Sequence, residues 1–142
     1  MLFNIVIAAA LIVATTAIHA TGMILAMRLM RPRDVHLKRL RQMRIYRVSG
    51  IVLLMFNASL LEVFLWAATY RVLNALQGFE EAFYFSMVTF TTLGYGEIVL
   101  DDQWRLLSSF EAANGIIMFG WTTAIILAAV QRIYFGKEAT QP

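Results

Sequence analysis

The chain has 142 residues, of which 60% are hydrophobic and only 15% charged, with a mean hydropathy of +0.67 and no cysteine. Soluble domains carry about 25% charged residues, and a globule of this size has too little interior to hide so large an apolar excess, so the composition argues against a soluble enzyme and for a polytopic membrane protein. Disulfides, thiolate metal sites and cysteine nucleophiles are excluded, and two histidines argue against a multi-histidine metal site within one chain.

Residues 1–27 contain no Asp, Glu, Lys or Arg. The apolar run from Phe3 through Met27 is long enough to cross a bilayer, which takes about 20 residues. A signal peptide with its cleavage edge at Ala20 is the alternative. The leading segment lacks the basic residues of such a peptide, and the apolar run continues straight into a basic cluster, so a retained transmembrane helix over 1–28 is expected.

The cluster that follows, over 28–47, holds eight of the twelve basic residues and is assigned, from 29 to 48, to a juxtamembrane segment. They are Arg28, Arg31, Arg33, Lys38, Arg39, Arg41, Arg44 and Arg47, opposed only by Asp34. Pro32 should end the first helix or begin a short new one. Lys and Arg gather in cytoplasmic loops beside helix ends, which places this segment in the cytoplasm and the N-terminus outside. Lys38, Arg41, Arg44 and Arg47 recur at every third residue, a spacing also found in voltage-sensor helices. The run is short and is broken by Arg39 and Gln42, so contact of the basic residues with anionic lipid is the expectation.

A second span runs over 49–70 and is interrupted by Glu62; a third runs over 106–130 and is interrupted by Glu111. They give an outer helix over 49–71 and an inner helix over 104–134, with a short cytoplasmic tail at 135–142. The stretch between them sets Arg71 and Arg105 against Glu80, Glu81, Glu97, Asp101 and Asp102; this acidic stretch belongs outside. An isolated carboxylate inside an apolar span is costly, so Glu62 and Glu111 should be paired, face water or be protonated. Asn57, Asn114 and His19 are candidate partners whose pairing is not readable. The two acids are structural, hydrogen-bonded groups or proton-sensitive elements of a gate.

The segment from Phe79 to Phe90 is too short to span. It reads as a re-entrant helix over 79–91, with Glu80 and Glu81 in the first turn, where negative charge suits the positive helix end. Phe83, Tyr84, Phe85 and Phe90 would wedge it against its neighbours. Thr91-Thr92-Leu93-Gly94-Tyr95-Gly96-Glu97 follows directly.

TLGYG at 92–96 resembles the TVGYG filter of potassium channels. A desolvated K⁺ needs a cage of oxygens, and backbone carbonyls supply one without fixed charge, so the ion can also leave. Gly94 and Gly96 permit the dihedrals that aim successive carbonyls at one axis. The Thr92 hydroxyl adds the innermost oxygen ring, while Leu93 and Tyr95 would pack behind the filter. K⁺ is thus expected at Thr92, Leu93, Gly94 and Tyr95, with Tyr84, Thr91 and Glu97 as support. One loop gives a quarter of a ring, hence a homotetramer.

The resemblance covers roughly 50–134. Gly115-Ile116-Ile117-Met118-Phe119-Gly120 and Thr122-Thr123-Ala124 look like the inner helix of two-span bacterial potassium channels. In that family a glycine at the Gly115 position lets the helix bend and open; close packing is the alternative for Gly115 and the expectation for Gly120. Ile116, Phe119, Thr123 and Leu127 step by three or four residues and share a face, expected to line a cavity with a hydrophobic gate near Leu127. Leu93 replaces the usual Val. Glu97 replaces a common Asp and leaves a hydrogen bond toward Tyr84 open. Val88 stands where some relatives have Glu. The first helix makes the chain a three-span variant.

The resemblance implies an all-α homotetrameric membrane protein that passes K⁺ passively through the plasma (inner) membrane, not an enzyme, with no cofactor besides the permeant ion. A nonselective cation channel of the same architecture, and a non-conducting lipid-binding anchor or accessory subunit, are the alternatives. The basic run lies too close to the bilayer to present a nucleic-acid site. The gating stimulus is not legible.

Overall fold

The structure is a computed structural model that describes residues 1–29 and 40–135. Among the described residues four α-helices follow in order: α1 Leu2–Leu29, α2 Leu40–Val72, α3 Phe79–Phe90 and α4 Arg105–Val130, the last continued by a π-helical turn at Gln131–Phe135. No strand occurs among the described residues. Three helical stretches, Leu2–Leu29, Arg44–Val72 and Arg105–Tyr134, are long and apolar enough to cross a membrane. The chain is therefore an all-helical, multi-pass membrane protein. Of the basic cluster, Arg31, Arg33, Lys38 and Arg39 lie outside the described residues, as do the side chain of Arg41 and the tail from 136.

Burial in α1 is inverted relative to a soluble helix. Its buried residues are Asn4, Ala8, Leu11, Thr15, His19, Gly22 and Ala26, a stripe of mostly small or polar side chains recurring at intervals of three or four. Val6, Val13, Ile24 and Leu25 face outward. Lipid tails are as apolar as these side chains, so burying them against protein gains little. Small residues that allow close backbones, and polar residues that need partners, turn inward instead. At Gly22 a Cβ would lie 3.2 Å from the Ala58 Cβ, so the glycine lets α1 and α2 approach closely.

Helix α2 begins at Leu40, within the basic stretch, nine residues before the boundary expected at 49. Lys and Arg are good helix formers, and the amphipathic turn Leu40–Arg47 continues the helix rather than forming a loop. At its other end the Asn74 backbone is left-handed (φ 53°). The Ala75 amide donates to the Tyr70 carbonyl at 2.9 Å and the Asn74 amide to Arg71 at 3.2 Å. That pair of bonds is the Schellman arrangement, which satisfies the last carbonyls and turns the chain toward α3.

α1 packs on both α2 and α4, and α3 sits between α2 and α4. The larger core, nearer α3, includes Trp66, Tyr70, Phe85, Phe90, Leu107 and Met118; a second core joins Ala26, Ile51, Met55, Ile125 and Ala129. The ends of the bundle are tied as well. On the side of α3, the Asn4 amide donates to the Gln103 carbonyl at 2.6 Å, and the Phe3 and Trp104 rings lie 6.4 Å apart. At the opposite end, Arg47 Nε donates to the Leu29 carbonyl at 2.9 Å, capping α1, and the Arg44 guanidinium sits 5.9 Å from the Tyr134 ring.

Candidate ion-conduction site

The site begins at the C-terminal end of α3. The helix is anchored by Phe85 and Phe90 in the core and by the buried Ser86, whose hydroxyl bonds the Val63 carbonyl of α2 at 3.0 Å. Beyond Phe90 the chain turns back on the helix end. The Thr91 amide and hydroxyl both donate to the Met87 carbonyl, at 3.1 and 2.7 Å. The Leu93 and Gly94 amides share the Val88 carbonyl at 3.0 and 3.3 Å. The first amides of the TLGYG segment are thereby fixed to α3 before the chain runs free of it.

Three residues of the segment have left-handed backbones: Thr92 (φ 61°), Gly94 (φ 55°) and Gly96 (φ 87°). The glycines adopt this conformation without a Cβ clash. Thr92 does not: a β-branched residue there is a steric outlier, costing on the order of 1–2 kcal/mol. Strain of this kind gathers at ligand clamps, where the surrounding structure holds it in place. The sequence signals the two glycines; nothing in it marks Thr92 as left-handed.

Thr92, Leu93, Gly94, Tyr95, Gly96 and Glu97 are all exposed in the chain. Leu93 is 59% and Tyr95 66% exposed. The packing behind the filter expected for these two side chains is thus not provided by their own chain. After the filter, Glu97 accepts a hydrogen bond from the Tyr84 hydroxyl, so the longer acid does reach the pore helix. This bond raises the Tyr84 phenol above its ordinary value. Between α3 and the segment after the filter lies a cavity of about 180 Å³, lined among others by Val88, Gly94, Glu97, Leu100, Arg105 and Ser108.

The inner helix meets the site at Gly115. A Cβ there would stand 2.0 Å from the Phe90 carbonyl oxygen, so the last turn of α3 lies directly on the glycine. Of the two roles open to Gly115, close packing is the one the fold imposes. Gly120 shows the reverse: nothing lies within 4 Å of its would-be Cβ, and the packing expected for it is absent within the chain. Ile116, Phe119, Thr123 and Leu127 are exposed along one face of α4, and Phe119 meets the Phe90 ring edge-on at 5.7 Å. The opposite stripe, including Glu111, Asn114, Met118 and Ile125, is buried in the chain.

The two intramembrane acids find separate partners. Glu111 accepts from the Tyr70 hydroxyl at 2.7 Å and bonds the Ser86 hydroxyl, so one carboxyl joins α2, α3 and α4 directly behind the pore helix. Glu62 lies 2.8 Å from Nδ1 of His19 on α1. Of the other candidate partners, Asn114 donates to the Thr15 hydroxyl at 3.0 Å, and Asn57 bonds the Leu53 carbonyl of its own helix. Tyr70, Ser86 and Thr15 were not singled out by the sequence. Their one signal is polarity within a mostly apolar helix.

Three membrane-crossing helices, with a short re-entrant helix and a strained, uncovered loop between the last two, define a pore unit of the channel class. Comparison with known families agrees: residues 58–132, more than half of the chain, match a family described as Ion channel, and the chain belongs to that family. The matched region spans the C-terminal part of α2 from residue 58, all of α3 and α4, and the loop between them. No curated protein and no solved structure matches the chain.

Proposed function

We propose that four copies of the chain assemble into a potassium-selective channel, conducting passively through the filter Thr92, Leu93, Gly94, Tyr95 and Gly96. The observation that carries this reading is the loop itself. TLGYG leaves the re-entrant helix with left-handed Thr92, Gly94 and Gly96, and its own chain leaves it uncovered. A backbone so arranged offers carbonyl oxygens as a substitute hydration shell, and copies around an axis complete the ring and cover Leu93 and Tyr95. K⁺ at Thr92, Leu93, Gly94 and Tyr95 is the only ion required, and no catalytic role is assigned. Glu97, Asp101 and Asp102 raise the cation concentration at the mouth. Ile116, Phe119, Thr123 and Leu127 line the inner cavity.

The chain sits in the plasma (inner) membrane with the filter and the N-terminus outside. Asn4 and Gln103 share one end of the bundle while Arg44 and Arg47 lie at the other, and basic residues favour the cytoplasmic side. Arg28, Arg44 and Arg47, with the basic residues of 30–43, contact anionic lipid headgroups there.

Flux from vesicles tests the filter. Vesicles loaded with K⁺ and carrying the wild-type chain should lose it, whereas Gly94→Ala should hold it while the protein still assembles. The Cβ added at Gly94 meets no atom of its own chain within 4 Å, so within the chain its effect acts through the left-handed backbone. Wild-type vesicles as tight as empty ones contradict the reading and favour an accessory subunit.

A further inference from the structure

Helix α1 lies outside the matched channel region and has no part in conduction as proposed. It nevertheless follows the inner helix from end to end. At the outer end it holds Gln103 through Asn4, at 2.6 Å. Midway, its Thr15 hydroxyl accepts from Asn114 at 3.0 Å. One turn further along, His19 Nε2 lies 3.2 Å from the Thr122 hydroxyl oxygen. Near the other end Ala26 packs with Ile125 and Ala129.

His19 is the centre of this seam. It is wholly buried, its ring lies 5.0 Å from the Trp121 ring, and Glu62 of α2 holds Nδ1 at 2.8 Å. A neutral imidazole has one donor and one acceptor nitrogen, and a carboxyl group and a hydroxyl can between them satisfy both. Glu62 therefore orients the ring, and the ring presents its far nitrogen to α4.

The placement of these bonds along α4 gives them a consequence. Asn114 precedes Gly120 and Thr122 follows it. Gly115 is wedged against Phe90, whereas the surroundings of Gly120 are open. Of the two glycines, Gly120 is the one with room to bend, and α1 grips the helix on both sides of it. We propose that α1 is a built-in splint on the inner helix, with His19 as the positioning residue that carries the hold across Gly120. The inference rests on the channel reading above. Bending at Gly120 to open the inner end separates Thr122 from His19, so the splint favours the closed pore.

Single-channel recording of the full chain in planar bilayers tests this. Thr122→Val keeps the branched shape and removes the hydroxyl. It should raise the open-to-closed ratio about threefold, the equivalent of one side-chain hydrogen bond of ~0.6 kcal/mol within a membrane. Thr122→Ser restores the hydroxyl and should gate as wild type. Thr122→Val added to His19→Leu should change nothing further, because the bond is already gone. Unchanged or reduced opening in Thr122→Val, failure of Thr122→Ser to restore gating, or full additivity of the two changes overturns the splint. If the wild type conducts selectively and Thr122→Val gates identically, the splint alone falls. If the wild type passes no ion under any condition, the channel reading falls and the splint with it.

Discussion

A methyl group on Gly115 would stand 2.0 Å from the Phe90 carbonyl oxygen, well inside any contact distance, and the obstacle is backbone rather than a movable side chain. Gly115→Ala should therefore cost at least the ~1–3 kcal/mol of ordinary overpacking and separate α3 from α4. Gly120→Ala meets nothing and replaces glycine by a better helix former, for a gain of up to ~1 kcal/mol. Thermal unfolding in detergent should show the first below wild type and the second at or above it; equal midpoints contradict the packing described. Glu111 gives a second contrast. Glu111→Gln keeps an acceptor for Tyr70 and a polar group for Ser86, whereas Glu111→Leu strands a buried hydroxyl at a cost of ~1–3 kcal/mol. Assembly yield and melting temperature should fall for Leu and hold for Gln. The sequence reports that both acids need partners, because an isolated carboxylate in an apolar span is costly. It does not report which partners, since that depends on the rotation and depth of each helix. Hence the pairing of Glu62 with His19, and of Glu111 with Tyr70 and Ser86, emerges only from the fold.

Among the elements, α3 and the segment after the filter depend most on each other. One side-chain bond, Tyr84 to Glu97, ties the end of the filter back to the pore helix. Tyr84→Phe keeps the ring and removes the bond. Loss of the bond should shift the loop toward non-conducting arrangements, read as shorter openings in single-channel records; openings of wild-type length contradict the tie. The existence of α3 is legible because twelve residues are too few to span and an aromatic run needs packing. The start of α2 is less so: basic residues beside a span read as a loop, yet their helix propensity carries the helix back to Leu40. In α1, apolar residues occur all round, so hydropathy reveals a span but not its buried stripe. Polarity and size reveal it, through Asn4, Thr15, His19 and Gly22.

For the whole molecule, composition points to a membrane protein, because an apolar excess of this size has nowhere else to go, and the placement of the apolar runs gives the three spans. The charge pattern of basic 28–47 and acidic 71–105 fits the arrangement of the bundle, with Asn4 and the filter toward one end and Arg44 and Arg47 at the other. What a single chain leaves unfilled is also informative. The TLGYG loop with its Leu93 and Tyr95 side chains, and the Ile116–Leu127 face, are exposed, as the proposed four-copy ring requires. The central claim is that this ring selects potassium. It is tested most directly by reconstituting the purified chain in a planar bilayer with K⁺ on one side and Na⁺ on the other and measuring the reversal potential. Reversal near the K⁺ equilibrium potential is predicted, whereas robust current reversing near zero would contradict potassium selectivity and make TLGYG the filter of a nonselective cation channel.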